Sequence, residues 1–211
     1  MVPSKEEMYS ALEKRHGPDL QKKISESSVA VCGLGGLGSN IAVSLARAGI
    51  GRLHVIDFDK VDLSNLNRQQ YATIHIGMYK TQAIMSVLKE IAPYTEIQTD
   101  TVKITAENIN QILGNEKIIC EAFDNPVAKA LLVNSVLEGL PHAYIIAASG
   151  MAGIGSPNYI RTKKITDHFY LCGDSITQAD DDSGLFSSRA MLCAAHQAHT
   201  VLRIIAGKYE I

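Results

Sequence analysis

The chain has 211 residues, 46% of them apolar and 20% charged, with a formal net charge of -2. That length suits one sizeable core rather than two, and the near-neutral charge gives no bulk electrostatic case for nucleic acid or an anionic membrane as partner. No apolar run approaches the roughly 20 residues that cross a bilayer, and Met1-Val-Pro-Ser-Lys-Glu-Glu7 lacks the basic-then-apolar order of a signal peptide, so a cytoplasmic location is expected.

Residues 4–26 are charged, with Met8, Leu12, Leu20 and Ile24 at helical spacing, and Gly17-Pro18 breaks them into two short helices. They read as a packing arm, or as an arm whose basic residue, Arg15 first, reaches an active site. Val29–Cys32 is an apolar strand, followed by a helix over Leu37–Ala48 that Gly49-Ile50-Gly51 closes. Leu53–Ile56 is a second strand, and Asp59–Tyr71, full of Asp, Ser and Asn, is irregular. A helix follows over Gly77–Ile91, a short alternating strand over Glu96–Asp100 and a helix over Thr105–Leu113. Lys117–Glu121 is a further apolar strand, Val127–Leu140 a helix with Pro126 in its first turn, and Tyr144–Ala148 another buried strand.

This alternation predicts an α/β fold, a Rossmann-like, mostly parallel sheet with helices on both faces. The last third differs. Gly150–Gly155 is glycine-rich, and Asn158–Arg161 and Phe169–Leu171 are short strands that would give an antiparallel extension near the C-terminus. Asp180–Gly184 reads as a mobile acidic loop and Arg189–Ile205 as a long helix on the sheet. With no repeat or linker, residues 1–211 are expected to form one domain with an N-terminal helical arm over about 4–26.

The first strand runs into Gly33-Leu-Gly-Gly-Leu-Gly38, and the second ends in Asp57, about 20 residues past the glycines. Gly33, Gly35 and Gly38 let backbone approach an anion at a helix N-terminus, and Asp57 is placed to hold a ribose. That pattern alone is compatible with NAD, FAD and related nucleotides. Three additions narrow it. Asp57-Phe-Asp59 is followed by Ser64-Asn-Leu-Asn-Arg-Gln69, which suits a polyphosphate with Arg68 as a planar multidentate cation, or else a turn held by Asn and Asp side chains. Lys80 opens a helix and can reach phosphate. Asp124, just past a strand end, is placed either to hold Mg²⁺ or, like Asn125, to cap the next helix. Together these suit cleavage between the α and β phosphates of ATP by an attacking carboxylate, which requires no general base.

Gly33–Gly38, Asp57-Phe-Asp59, Ser64–Gln69, Lys80 and Asp124-Asn125 resemble the ThiF/MoeB adenylyltransferases, bacterial relatives of the ubiquitin-activating enzymes, over roughly Ser27 to Ala148. The tail, Phe169–Asp174 with Cys193-Ala-Ala-His-Gln-Ala-His199, is similar to the short ThiF-like branch associated with thiamine biosynthesis. The resemblance implies adenylation of the C-terminal Gly-Gly carboxylate of a small ubiquitin-like sulfur carrier protein, ThiS-like, with release of pyrophosphate and later displacement of AMP by a sulfur donor. It implies that Asp57 binds the ATP ribose, that Arg68 and Lys80 contact phosphate, and that Asp124 binds Mg²⁺. Asn65, Gln69 and Asp59 would belong to the same pocket, with Gly35, Gly36 and Gly38 beneath the nucleotide. It also implies a homodimer in which a partner's arm residue, here Arg15, completes the site.

The longer relatives hold zinc with two C-x-x-C pairs. The four cysteines Cys32, Cys120, Cys172 and Cys193 form none, so zinc is not expected. Some relatives bind the activated carrier on a cysteine; Cys172 is the candidate here, with an ordinary thiol the expectation. Cys193, His196 and His199 lie on one helix, either as a metal site or, by expectation, as packing. Two further functions stay open: an NAD-dependent oxidoreductase, which finds no proton-relay constellation, and a non-catalytic nucleotide- or carrier-binding protein.

Overall fold

The computed structural model describes residues 2–177 and 184–211. The expected acidic loop, apart from Gly184, falls outside them. An arm of two helices comes first, α1 (Lys5–His16) and α2 (Pro18–Ser25). Ser4 and Glu7 form a reciprocal capping box on α1, Gly17 ends it at φ 83°, and Pro18 starts α2 at the position where a missing N–H costs nothing. No residue of α1 is buried, whereas α2 sends Gln21 and Ile24 into the body of the protein.

The strands are β1 (Ser28–Cys32), β2 (Arg52–Ile56), β3 (Glu96–Asp100), β4 (Ile118–Glu121), β5 (Tyr144–Ala148), β6 (Arg161–Lys164) and β7 (Phe169–Gly173). They make one sheet in the order β3-β2-β1-β4-β5-β7-β6, parallel throughout except for the antiparallel β6–β7 pair. Period-2 alternation divides the core between the two faces. Val29 and Val31 of β1 meet α3 (Gly38–Arg47), α4 (Lys80–Ile91) and α7 (Ser187–Ile205) through Ile41, Leu45, Ile84, Leu88 and Val201. Ala30 and Cys32, one residue out of phase, meet α5 (Ile109–Leu113) and α6 (Pro126–Gly139) through Leu113, Leu132 and Val136. The expected α/β sheet covered on both faces is what the chain forms.

Local chemistry trims several expected elements. Gly77 at φ 85° donates its N–H to the Val61 carbonyl and Lys60 bridges Tyr79, so residues 77–79 form a turn and α4 starts only at Lys80. The expected helix from Thr105 is reduced to α5, because the Asn108 side chain accepts the Thr105 N–H and donates to the Lys103 carbonyl, the competition with backbone that disfavours Asn inside helices. Residues 157–159 make a 3-10 turn where a strand from Asn158 was expected. The last parallel strand, β7, pairs directly with β5, so the antiparallel extension is β6 alone.

The topology dictates where a ligand goes. From β1 the chain proceeds first to β2 on one side and later to β4 on the other. The strand ends diverge there, and a crevice opens at their carboxyl edge.

Candidate active site

The glycine turn fills the bottom of that crevice. Gly33, at φ 93°, abuts the next strand end: a Cβ there would lie 2.8 Å from the Ala122 carbonyl oxygen. At Gly38 a Cβ would sit 1.8 Å from the Gly33 oxygen. Both glycines are required by the fold itself. Gly35 differs, because its nearest neighbour would be Gln69 Nε2 at 3.8 Å, which leaves room for a ligand to meet backbone. Gly36 lies under the Arg68 stem, 3.2 Å from Cγ to the position of an added Cβ. The N-terminus of the ten-residue α3 has no side-chain cap; the Ser39 and Ile41 N–H groups donate to the Gly35 and Leu37 carbonyls, and the positive dipole end remains for an anion.

Asp57 follows β2 and is 7% exposed. Its Oδ2 accepts the Leu34 N–H at 2.6 Å and its Oδ1 the Asp59 N–H at 2.7 Å. Burial pushes its pKa up, while the Lys80 charge and those two N–H groups oppose the rise. Asp57 therefore braces the glycine turn, and a carboxylate oxygen retains capacity for a second donor such as a ribose hydroxyl. Lys80, at the start of α4 and 7% exposed, places Nζ 2.9 Å from Asp59 Oδ2.

The Asp59–Tyr71 loop is tied by its own polar groups. Asp62 caps a 3-10 turn over Leu63–Asn65, and Asn65 returns the bond to the Asp62 N–H. Arg68 donates one Nη to the Ser64 carbonyl and to Asn67 Oδ1, which leaves donors of its five-N–H fork available. Gln69 is 8% exposed, and its Oε1 has no hydrogen-bond partner. An orphaned buried acceptor costs free energy until something donates to it, so this atom fits a ligand with donor groups.

Past β4 the two readings of Asp124-Asn125 separate. Asn125 is the cap of α6, accepting the Val127 and Ala128 N–H groups. Asp124 is exposed, and its carboxylate makes no hydrogen bond or ion pair among the described residues. One free carboxylate facing a phosphate site fits Mg²⁺, which is commonly held by one or two carboxylates together with substrate phosphates.

These groups share a cavity of about 780 Å³. Gly33, Gly35, Gly36, Asp57 and Asp59 line it together with Asn65, Arg68, Gln69, Lys80 and Asp124. Gly38 lies behind the turn, and Arg15 sits on α1, outside the cavity. Phe58, Val102, Ile104, Phe123 and Leu131 add an apolar lining suited to a flat base. Sequence reasoning missed that lining because its residues come from four separate segments with no spacing rule between them. It also missed Asn40, whose amide ties the Gly36 and Arg68 carbonyls together, and Tyr71, whose hydroxyl donates to the Leu34 carbonyl.

Cys172 is fully buried, and burial raises its pKa to about 11, so it is an ordinary thiol and not a nucleophile. Cys193 is also buried and pushed up by burial, His196 bonds the Thr162 hydroxyl, and no metal-binding cluster exists among the described residues.

A parallel sheet whose first glycine turn opens onto a cavity lined by a buried acid and by cations that include Arg68 and Lys80 defines a Rossmann-like α/β domain with a nucleotide-shaped site. The chain belongs to the ThiF family, whose model matches residues 9–211. It is 41% identical over 113 residues, 53% of this chain, to the adenylyltransferase and sulfurtransferase MOCS3 of Aedes aegypti. It is 30% identical over 213 residues, 97% of this chain, to the sulfur carrier protein ThiS adenylyltransferase of Bacillus subtilis. The matched part spans only 26% of the mosquito protein and 61% of the bacterial one. In architecture it is similar to E. coli tRNA N6-threonylcarbamoyladenosine dehydratase, TcdA, in its complex with ATP: TM-score 0.87, with 99% of this chain and 98% of that chain covered. At 18% identity that likeness concerns the fold.

Proposed function

We propose that this protein adenylates the C-terminal Gly-Gly carboxylate of a small ubiquitin-like sulfur carrier, ThiS-like, for thiamine biosynthesis. The observation that carries the reading is the meeting of the glycine turn with Arg68, Lys80 and Asp124 around one cavity. Similarity to a ThiS adenylyltransferase over 97% of the chain supports the choice of carrier.

In this reading ATP lies with its base against the apolar lining, its ribose at Asp57 and its phosphates over Gly35 and Gly36. A carrier carboxylate oxygen attacks the α-phosphorus, a new P–O bond forms, and the bond to the bridging oxygen breaks with its electron pair leaving on pyrophosphate. The attacking group is already anionic, so no proton moves and no base is needed. Arg68 and Lys80 take up charge that develops on the phosphate oxygens, the kind of contact that matters most in the transition state. Mg²⁺ at Asp124 would neutralise the leaving pyrophosphate. Displacement of AMP by sulfur is assigned to a separate donor, in keeping with the burial of Cys172.

Arg15 enters only if a second copy presents its arm. The helix α1 has no buried residue of its own, which suits an arm that packs on a partner in a homodimer. ATP–pyrophosphate exchange with Mg²⁺ tests the function: exchange that depends on a Gly-Gly carrier supports it, and ATP binding without exchange for any such carrier refutes it.

A further inference from the structure

We propose that Arg189 is a positioning residue that holds the glycine-rich segment 149–156 as the platform on which the carrier's glycine-ended tail lies. The proposal rests on the carrier-activating reading above and names the part of this chain that seats the second substrate.

Arg189 lies in the first turn of α7 and is 5% exposed. Its guanidinium is wholly committed to one segment and one acid. Nε donates to the Met151 carbonyl at 3.3 Å, and Nη1 donates to the Gly155 and Ser156 carbonyls at 2.7 and 3.2 Å. Nη2 donates to Asp174 Oδ2 at 2.5 Å. Asp174 also accepts the Ile176 and Thr177 N–H groups and the Thr177 hydroxyl, and Thr177 Oγ1 accepts the Ala152 N–H. Gly150, at φ 79°, is pressed so close that a Cβ would sit 2.0 Å from Asp174 Oδ1. A segment with glycines at 150, 153 and 155 loses much conformational entropy when it is ordered. A buried cation is also expensive unless all its donors are used. The fold meets both costs to freeze a stretch of backbone in which three of eight residues are glycine.

The location gives the platform its use. Met151 lines the nucleotide cavity. So does Leu185, whose carbonyl accepts the Asn67 amide next to Arg68. The platform thus reaches the cavity wall at Met151, and its Gly153 N–H donates to the Gly184 carbonyl, next to Leu185. Ile154 of the platform and Ile176, whose N–H donates to Asp174, are 86% and 83% exposed. Adenylation requires an extended chain end to reach the α-phosphate. A tail without side chains meets no obstruction there, and a frozen platform spares the ordering cost at the moment of binding. A lysine at position 189 keeps the charge opposite Asp174 but cannot serve three carbonyls in a fixed plane.

The test is ATP–pyrophosphate exchange with a ThiS-type carrier ending in Gly-Gly, in wild type, Arg189→Lys and Ile154→Asp, with ATP affinity measured separately without carrier. Arg189→Lys is expected to raise the half-saturating carrier concentration by about tenfold or more, while ATP affinity stays within about twofold because Arg189 itself does not line the nucleotide cavity and meets it only through the Met151 carbonyl. Ile154→Asp alters only an exposed side chain and is expected to shift the carrier requirement in the same direction; it decides the matter if Arg189→Lys does not fold. Unchanged carrier requirements in the folded variants overturn the platform and leave the proposed function standing. Equal losses for ATP and carrier in Arg189→Lys, with Ile154→Asp unaffected, overturn it too, since they mark a purely structural arginine. A wild-type protein without carrier-dependent exchange overturns the proposed function and the platform with it.

Discussion

Replacing Lys80 by Met separates stability from catalysis at one atom. The Lys80 side chain is buried, and its Nζ meets Asp59 Oδ2 at 2.9 Å, while the Asp59 side chain is 49% exposed. Solvent screens such a pair, so its loss costs about 0.5–1 kcal/mol, and methionine fills the space of the aliphatic stem. For a chain of this size that lowers the melting temperature by at most about 4 °C. The effect on rate is far larger. Removing one charge contact made in the transition state costs about 2.7–4 kcal/mol, or about 10²–10³-fold in rate. The Asp59 carboxylate, released from its partner, adds repulsion at the phosphate site, so Lys80→Met/Asp59→Asn should recover part of the loss. Carrier-dependent ATP–pyrophosphate exchange, read beside a thermal melt, measures both quantities. A folded Lys80→Met protein that exchanges within about threefold of wild type, where 1.36 kcal/mol is tenfold, would refute the phosphate role.

The other sites give distinct signatures. Asp124→Ala removes an exposed carboxylate that makes no bond among the described residues; it should abolish exchange at every Mg²⁺ concentration with the melting temperature unchanged, and full activity would remove the magnesium assignment. Cys172→Ala should keep wild-type activity, and iodoacetamide should leave native Cys172 unlabelled by mass spectrometry, because burial holds its pKa at about 11. The Asp174 carboxyl would be raised by burial, but N–H groups of Thr177 and Ile176, the Thr177 hydroxyl and the Arg189 charge hold it below its usual 3.8. Its folded-state pKa is thus depressed, so its contribution is full above about pH 3.8 and fades as pH falls through the lower folded value. Urea melts should show Asp174→Asn less stable than wild type at pH 7, with the gap narrowing below about pH 3.8; a gap that stays constant with pH would contradict this.

Much of the architecture was legible because it rests on local rules. Period-2 strands, the glycine turn and the Asp57 spacing are properties of neighbouring residues, and the sheet forms from them as expected. The helix boundaries at Lys80 and Ile109 were not, because the Lys60–Tyr79 bridge and the Asn108 side-chain bonds decide them. The same division holds for the site. Arg68, Lys80 and Asp124 announce themselves by residue type at strand ends and helix starts. Whether Asp124 or Asn125 caps α6 depends on the backbone path, which sequence does not reveal. Asn40 and Arg189 read as ordinary helix residues; their roles arise from contacts with segments 28 residues away for Asn40 and 33 to 38 residues away for Arg189.

The most direct test of the central claim is intact-mass spectrometry of a ThiS-type Gly-Gly carrier incubated with the protein, ATP and Mg²⁺. The account predicts a carrier that gains one AMP in the presence of wild-type protein and gains none with Asp124→Ala. A carrier of unchanged mass, under conditions where the protein binds ATP, would contradict it.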